Sequence, residues 1–292
     1  MITAVAIVMS TPDVNGLDEA VDALGEWQVE GAPMQLHPGD LGWYRRFGAE
    51  ATAAAVRTWR RDGRVLAVGL LDGPDLLRVT TAPDVRRDPE LADRLVEDLT
   101  DPGRGVLPDG PVSVEAPMDA LLQDVLPDHG WGAGEPWTPL RRDLSAPVED
   151  PGVRIEVVGP EQAPRWAAVI RASFDRSTFT DERWHAMAQG SPYRDARCLL
   201  AHDTRDNAVA AVLVWSAGPG KPGLLEPMGT HRDHRGHGHG RAVNLAAAAA
   251  LQRMGSSSAL VCTPSSNVGA VATYRSAGFR PRPEVRDLTR PA

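Results

Sequence analysis

The segment that most constrains this chain is Leu224-Leu225-Glu226-Pro227-Met228-Gly229-Thr230-His231-Arg232-Asp233-His234-Arg235-Gly236-His237-Gly238-His239-Gly240-Arg241. Its apolar start reads as a strand and its spaced glycines as a turn. The alanine-rich run that follows reads as a helix over 238–254, closed by Gly255. Glycines at 236, 238 and 240 permit positive φ and leave backbone amides free of side-chain cover. Those amides fall at a helix N-terminus, where the dipole favours an anion. Such a nest suits a phosphate or pyrophosphate, with Arg235 and Arg241 adding positive charge beside it. Two rival readings share the pattern: a glycine turn that only caps a helix, and a dinucleotide-binding turn, which also follows a strand. Against the second, the spacing is Gly-x-Gly-x-Gly, and no acidic residue ends a following strand about 20 residues on. A nucleotide-triphosphate loop is excluded, because no Gly-Lys-Ser/Thr occurs.

The chain has 292 residues, too long for one typical domain and suited to two. A proline-rich, acidic stretch at 145–152 reads as the linker, giving domains 1–146 and 147–292. In the first, helices are expected at 17–28, 49–60, 89–99 and 119–126, and strands at 65–71, 76–81, 112–116 and 137–143. Residues 1–8 read as an opening strand rather than a signal peptide, since they lack a basic leader and a cleavage site. In the second, strands are expected at 154–158, 197–202, 208–216, 224–230, 259–263 and 284–288, with helices at 161–174, 181–189, 238–254 and 268–277. The fold class is therefore a mixed α/β architecture, with a central sheet flanked by helices in each half.

A second motif stands downstream: Asn267-Val268-Gly269-Ala270-Val271-Ala272-Thr273-Tyr274-Arg275-Ser276-Ala277-Gly278-Phe279. Asn267 reads as a helix cap, and Tyr274 lies two turns on along the same face. Together the two motifs resemble those of the GNAT superfamily of acyl-CoA N-acyltransferases. Arg235-Gly236-His237-Gly238-His239-Gly240 is similar to its Arg/Gln-x-x-Gly-x-Gly/Ala signature. The later segment is similar to its Asn-x-x-Ala-x-x-x-Tyr-x-x-x-Gly-Phe motif. The resemblance covers 154–292. It implies that amides of residues 235–241 hold the pyrophosphate of acetyl-CoA and that the strand Met228-Gly229-Thr230 runs beside the pantetheine. It also implies that Asn267 lies near the thiol, and that Tyr274 is the general acid toward the leaving thiolate. Glu226 lies where many members carry a base, and is the base candidate. The competing reading is that Glu226 pairs with an arginine.

The first half reads as a faded copy. Gly130-Trp131 echoes Gly278-Phe279 at an offset of 148 residues, which also sets Arg87 on Arg235 and Leu77 on Leu225. At the same offset Asp88, Glu90 and Ala92 replace the three glycines, and Leu126 replaces Tyr274. Carboxylates at that helix start repel a pyrophosphate and leucine donates no proton, so no acyl-CoA is expected there. Tandem domains of this kind are similar in arrangement to those of the mycothiol synthases.

The remaining expectations are coarser. A net charge of −8 argues against a nucleic-acid partner, and no apolar run approaches the roughly 18 residues of a membrane span. Two cysteines, Cys198 and Cys262, make no disulfide framework, so a reducing, cytoplasmic setting is expected. Cys262 is read as structural. The histidines at 231, 234, 237 and 239 read as solvated loop residues, and no metal is expected. The segment 174–193, with Phe174, Phe179, Trp184, His185, Tyr193, Asp175, Asp181 and Glu182, should border the acceptor entrance. Its aromatics and carboxylates suit a small cationic amine or plain helix packing. The resemblance implies an N-acetyltransferase acting on a small-molecule or protein amine, as monomer or homodimer. The alternative is a non-catalytic acyl-CoA sensor or scaffold.

Overall fold

The computed structural model describes residues 6–291. The first half runs β1 (Val8–Ser10), α1 (Leu17–Trp27), α2 (Pro38–Tyr44), α3 (Ala49–Ala55), β2 (Val56–Arg61), β3 (Arg64–Leu71), β4 (Leu76–Thr81), α4 (Pro89–Thr100), β5 (Val112–Glu115), α5 (Leu122–Val125) and β6 (Gly132–Asp143). The second runs β7 (Arg154–Val157), α6 (Ala163–Ser173), α7 (Asp181–Ala188), β8 (Ala196–His202), β9 (Ala208–Trp215), β10 (Pro222–Thr230), α8 (His239–Arg253), β11 (Ser258–Pro264), α9 (Val268–Ser276), β12 (Arg280–Pro281) and β13 (Val285–Arg290). The opening strand expected over 1–8 lies mostly outside the described residues; β1 begins at Val8.

Each half repeats one plan. Strands β1 to β4, and β7 to β10, form antiparallel runs. A crossover helix, α4 or α8, then returns the chain to a parallel neighbour, β5 on β4 and β11 on β10. Parallel neighbours need such a crossover because a tight hairpin cannot reverse the chain twice. The glycines Gly130 and Gly278, 148 residues apart, have φ of 83° and 82°. That conformation favours glycine and ends the last helical turn in both halves.

The two sheets join into one, ordered β1-β2-β3-β4-β5-β13-β6-β11-β10-β9-β8-β7. At its centre the halves exchange their last strands. β6 pairs with β11 from Ser258↔Asp143 to Pro264↔Trp137, while β13 pairs with β5 through Leu288↔Val114. Leu288 accordingly packs in the first core, around Trp59 and Leu24, and Leu140 and Leu144 pack in the second, with Leu251 and Phe279.

Two helix expectations fail locally. The helix expected over 49–60 stops at Ala55 and the chain continues as β2. Alanine propensity carries the first turns. Val56, Thr58 and Trp59 then fit a pleated surface better, and fully buried Trp59 donates its ring N–H to Asp98 at 2.8 Å. The helix expected over 119–126 shrinks to α5, and from Leu126 the chain tightens into a 3-10 turn that holds Pro127. Helix α2 was not foreseen, since its sequence holds a proline and two glycines. His37 caps it through Nδ1, which accepts from the Gly39 N–H, while Asp40 accepts from the His37 N–H at 2.6 Å. Its glycines face the second half: a Cβ at Gly39 or Gly42 would stand 2.4 Å from the Trp215 ring carbons.

Candidate active site

The site begins where the sheet splits. β10 and β11 pair only from Pro222 to Leu224, and the register of β10 on β9 breaks between Leu225 and Met228. Past that point β10 stays with β9 and β11 stays with β6, so the strands part. The wedge opens on a groove of about 560 Å³. Met228, Gly229, Thr230, Arg235, Gly236, Gly238, His239, Gly240, Arg241 and Asn267 line it. His237 does not; its ring turns back, with Nδ1 2.8 Å from the Arg235 carbonyl.

The glycines act in different ways. Gly236 and Gly238 have φ of 81° and 83°, and Gly238 is the N-cap of α8. A Cβ at Gly240 would meet Thr273 Cγ2 at 2.8 Å, and one at Gly229 would meet Ser173 Cβ at 2.4 Å, so these two permit close approach of α9 and α6. The arginines serve the loop's structure first. Arg235 donates to the Ser173 carbonyl at 2.7 Å, and Arg241 donates to the Ser276 carbonyl and pairs with Glu149. Asn267 caps α9 by accepting from the Ala270 N–H at 3.1 Å.

A second cavity, of about 390 Å³, adjoins the groove, and Phe174, Met228, Asn267 and Ala270 line both. Tyr274 and Glu226 line the cavity. Tyr274 is 5% exposed, and its ring packs 5.9 Å from that of Phe279. Burial, then the neighbouring Glu226 and Cys262, raise its hydroxyl above the ordinary phenol value, so it stays protonated. Burial also pushes the Glu226 carboxyl up to about 8, helped by Asp40 and Asp72 and opposed by Arg78 and Arg46. No arginine stands within ion-pair distance of Glu226 among the described residues; Trp215 binds only its backbone carbonyl, at 2.9 Å. Cys262 lines the same cavity, and burial, with Glu115 adding to it, pushes its thiol up to about 12, far from a thiolate nucleophile.

The cavity's other charges come from the first half and from the exchanged strand β13. Arg78 on β4 pairs with Asp40 at 2.8 Å, Glu115 at 2.7 Å and Asp72 at 3.7 Å, and β13 adds Asp287. Arg78 stands 148 residues before Glu226, the same position in the other copy. The sequence placed the acceptor wall in 174–193 instead. Of that segment only Phe174 lines the cavity. Phe179 and Trp184 are buried, with Trp184 donating to Cys198 Sγ at 3.3 Å, and Tyr193 bonds the same sulfur. The carboxylates of Asp175, Asp181 and Glu182 lie elsewhere. The signal that was available was the 148-residue repeat, which places β4 opposite β10.

In the first half, the helix start matching the glycine loop is already filled. Asp88 accepts from the Glu90 and Leu91 N–H groups at 2.8 and 3.2 Å, and Arg61 pairs with both Asp88 and Glu90. Leu126, in the place of Tyr274, is fully buried. Among the described residues no three His, Cys, Asp or Glu side chains are placed to share a metal ion, and no helix is long and apolar enough to cross a membrane.

Residues 165–279 match the acetyltransferase (GNAT) family. No curated protein matches the sequence significantly. Among solved structures, a GCN5-related N-acetyltransferase from Sphaerobacter thermophilus superposes with a TM-score of 0.59 at 20% identity, covering 97% of this chain and 95% of that one. A tandem GNAT protein from the clavulanic acid biosynthesis pathway gives 0.60 at 16% identity, covering 97% and 98%. A GCN5-related N-acetyltransferase from Kribbella flavida gives 0.55 at 23% identity, covering 77% and 87%. The fold of the described residues is similar to that of the tandem GNAT protein.

Proposed function

We propose that the chain, whose residues 165–279 match the acetyltransferase (GNAT) family, moves an acetyl group from acetyl-CoA to a primary amine by direct attack. The observation that carries this reading is the junction of groove and cavity. Residues of the glycine loop line one end, Glu226 and Tyr274 line the other, and Met228 and Asn267 are shared. The groove takes the pyrophosphate and pantetheine, and the cavity takes the acceptor.

An alkylamine has a pKa near 10, so it arrives protonated. Glu226, as carboxylate, removes one proton, and the free amine attacks the thioester carbonyl. The backbone N–H of Met228, which the β9 register turns away from that strand, donates to the oxyanion that forms. The carbon–sulfur bond then breaks, Tyr274 gives its proton to the departing thiolate, and the phenolate takes back the proton that the attacking nitrogen must lose to become a neutral amide. Burial keeps the Tyr274 hydroxyl protonated, so the proton is in place when the thiolate forms, although the same raising weakens the phenol as an acid. The first half binds no acyl-CoA in this account, because Asp88 already holds the amides a pyrophosphate would need.

Thiol release from acetyl-CoA with a panel of amines tests the reading. Tyr274→Phe should lower kcat by about 10²–10⁴-fold and leave the affinity for CoA unchanged. A non-catalytic sensor would show no amine-dependent release in either protein.

A further inference from the structure

The acceptor cavity holds more negative charge than acyl transfer requires. Asp72, Glu115, Glu226 and Asp287 line it, against Arg78 and Arg286. Arg78 is already shared among Asp40, Glu115 and Asp72. Arg286 is exposed and donates to the Gly134 carbonyl at 2.7 Å. Glu226 is assigned to the reacting amine. Asp287 remains, and among the described residues it has no ion-pair partner. It reaches the cavity where the pairing of β13 with β6 shifts register between Arg286 and Leu288. Burial, then Glu115, push its carboxyl up to about 6, so at neutral pH it is ionised. A half-buried carboxylate without a partner is costly until a cation arrives.

We propose that the acceptor carries a second cationic group besides the amine that is acylated, and that Asp287, with Asp72 and Glu115 lining the same cavity, binds that group. The inference rests on the acyl-transfer reading of the same cavity. A diamine sets one nitrogen at Glu226 and the other at Asp287. Met34, Leu76 and Trp137, which also line the cavity, provide apolar wall for the carbon spacer between them. A monoamine leaves Asp287 unmatched. Asp287 is thus a specificity-determining residue contributed by the exchanged strand.

The test compares putrescine and spermidine with n-butylamine as acceptors, by thiol release from acetyl-CoA. Calorimetric titration of putrescine into the CoA-bound protein runs beside it. Wild type should favour the polyamines in kcat/KM by about tenfold or more, the scale of one enclosed charge pair. Asp287→Asn should bring that ratio toward one, and Asp72→Asn should move it the same way. Equal use of all three amines by wild type, or a ratio unmoved in both variants, overturns the proposal while acyl transfer stands. Asp287-dependent putrescine binding without thiol release from any amine sustains the dication pocket and overturns acyl transfer. Neither binding nor release overturns both.

Discussion

Glu226 sits half-buried between charges of both signs, and the balance sets its use as a base. Burial, Asp40 and Asp72 favour the neutral acid, Arg78 and Arg46 favour the carboxylate, and the result is a group titrating near 8. Only the ionised form accepts a proton, and a raised value means that this form accumulates as pH rises through about 8. We therefore expect kcat/KM to climb below pH 8 along a limb that Glu226→Gln lacks, with kcat in the variant down by about 10²–10⁴-fold. The acceptor's own titration, near 10 for an alkylamine, is common to both proteins and cancels in the comparison. Superimposable pH profiles would remove Glu226 from the base role. At this scale the sequence pointed to Asn267 and the glycines through their capping and backbone requirements, and to Tyr274 through the family motif that its segment resembles. It did not show Asp40, Asp72, Arg78, Glu115 or Asp287. These meet Glu226 only through tertiary contacts between the halves, and no local spacing records those.

At the scale of elements, β10, the glycine loop and α8 were legible because strand, turn and helix signals lie in one continuous stretch. Helix α2 was not, because glycine and proline normally interrupt helices. Here the glycines serve a contact instead, letting the helix backbone approach Trp215 of β9. Gly42→Ala would place a methyl group 2.4 Å from that ring and 3.0 Å from Pro192 Cβ. We expect a loss of about 1–3 kcal/mol, the usual cost of overpacking. Gly25→Ala is the control, since its added Cβ lies 3.8 Å from Pro38, an ordinary contact, at a half-buried position of α1. It should leave stability unchanged or raise it by about 0.5–1 kcal/mol. Chemical denaturation of the two variants separates these outcomes, and equal midpoints would contradict the docking role of α2.

At the scale of the molecule, the repeat was legible and the strand exchange was not. The offset of 148 residues pairs β4 with β10 and Gly130 with Gly278, but it says nothing about which sheet receives the last strand of each copy. A cut at 146 separates the chain as a sequence. In the structure it removes β6 from β11 and takes Leu140 and Leu144 out of the second core. We expect residues 147–292 alone to lack cooperative unfolding, and co-expression with 1–146 to restore it; a sharp unfolding transition for the isolated fragment would contradict this. The same exchange brings Asp287 to the cavity, so the pairing of the halves shapes the cavity's wall. The central claim is that one groove per chain, built on Gly236 to Gly240, holds acyl-CoA. Calorimetric titration of acetyl-CoA tests it most directly. The account predicts one site per chain, weakened about tenfold by Gly238→Ala, because a side chain at a φ of 83° strains the loop by about 1–2 kcal/mol. Two sites, no binding, or an affinity untouched by the substitution would contradict it.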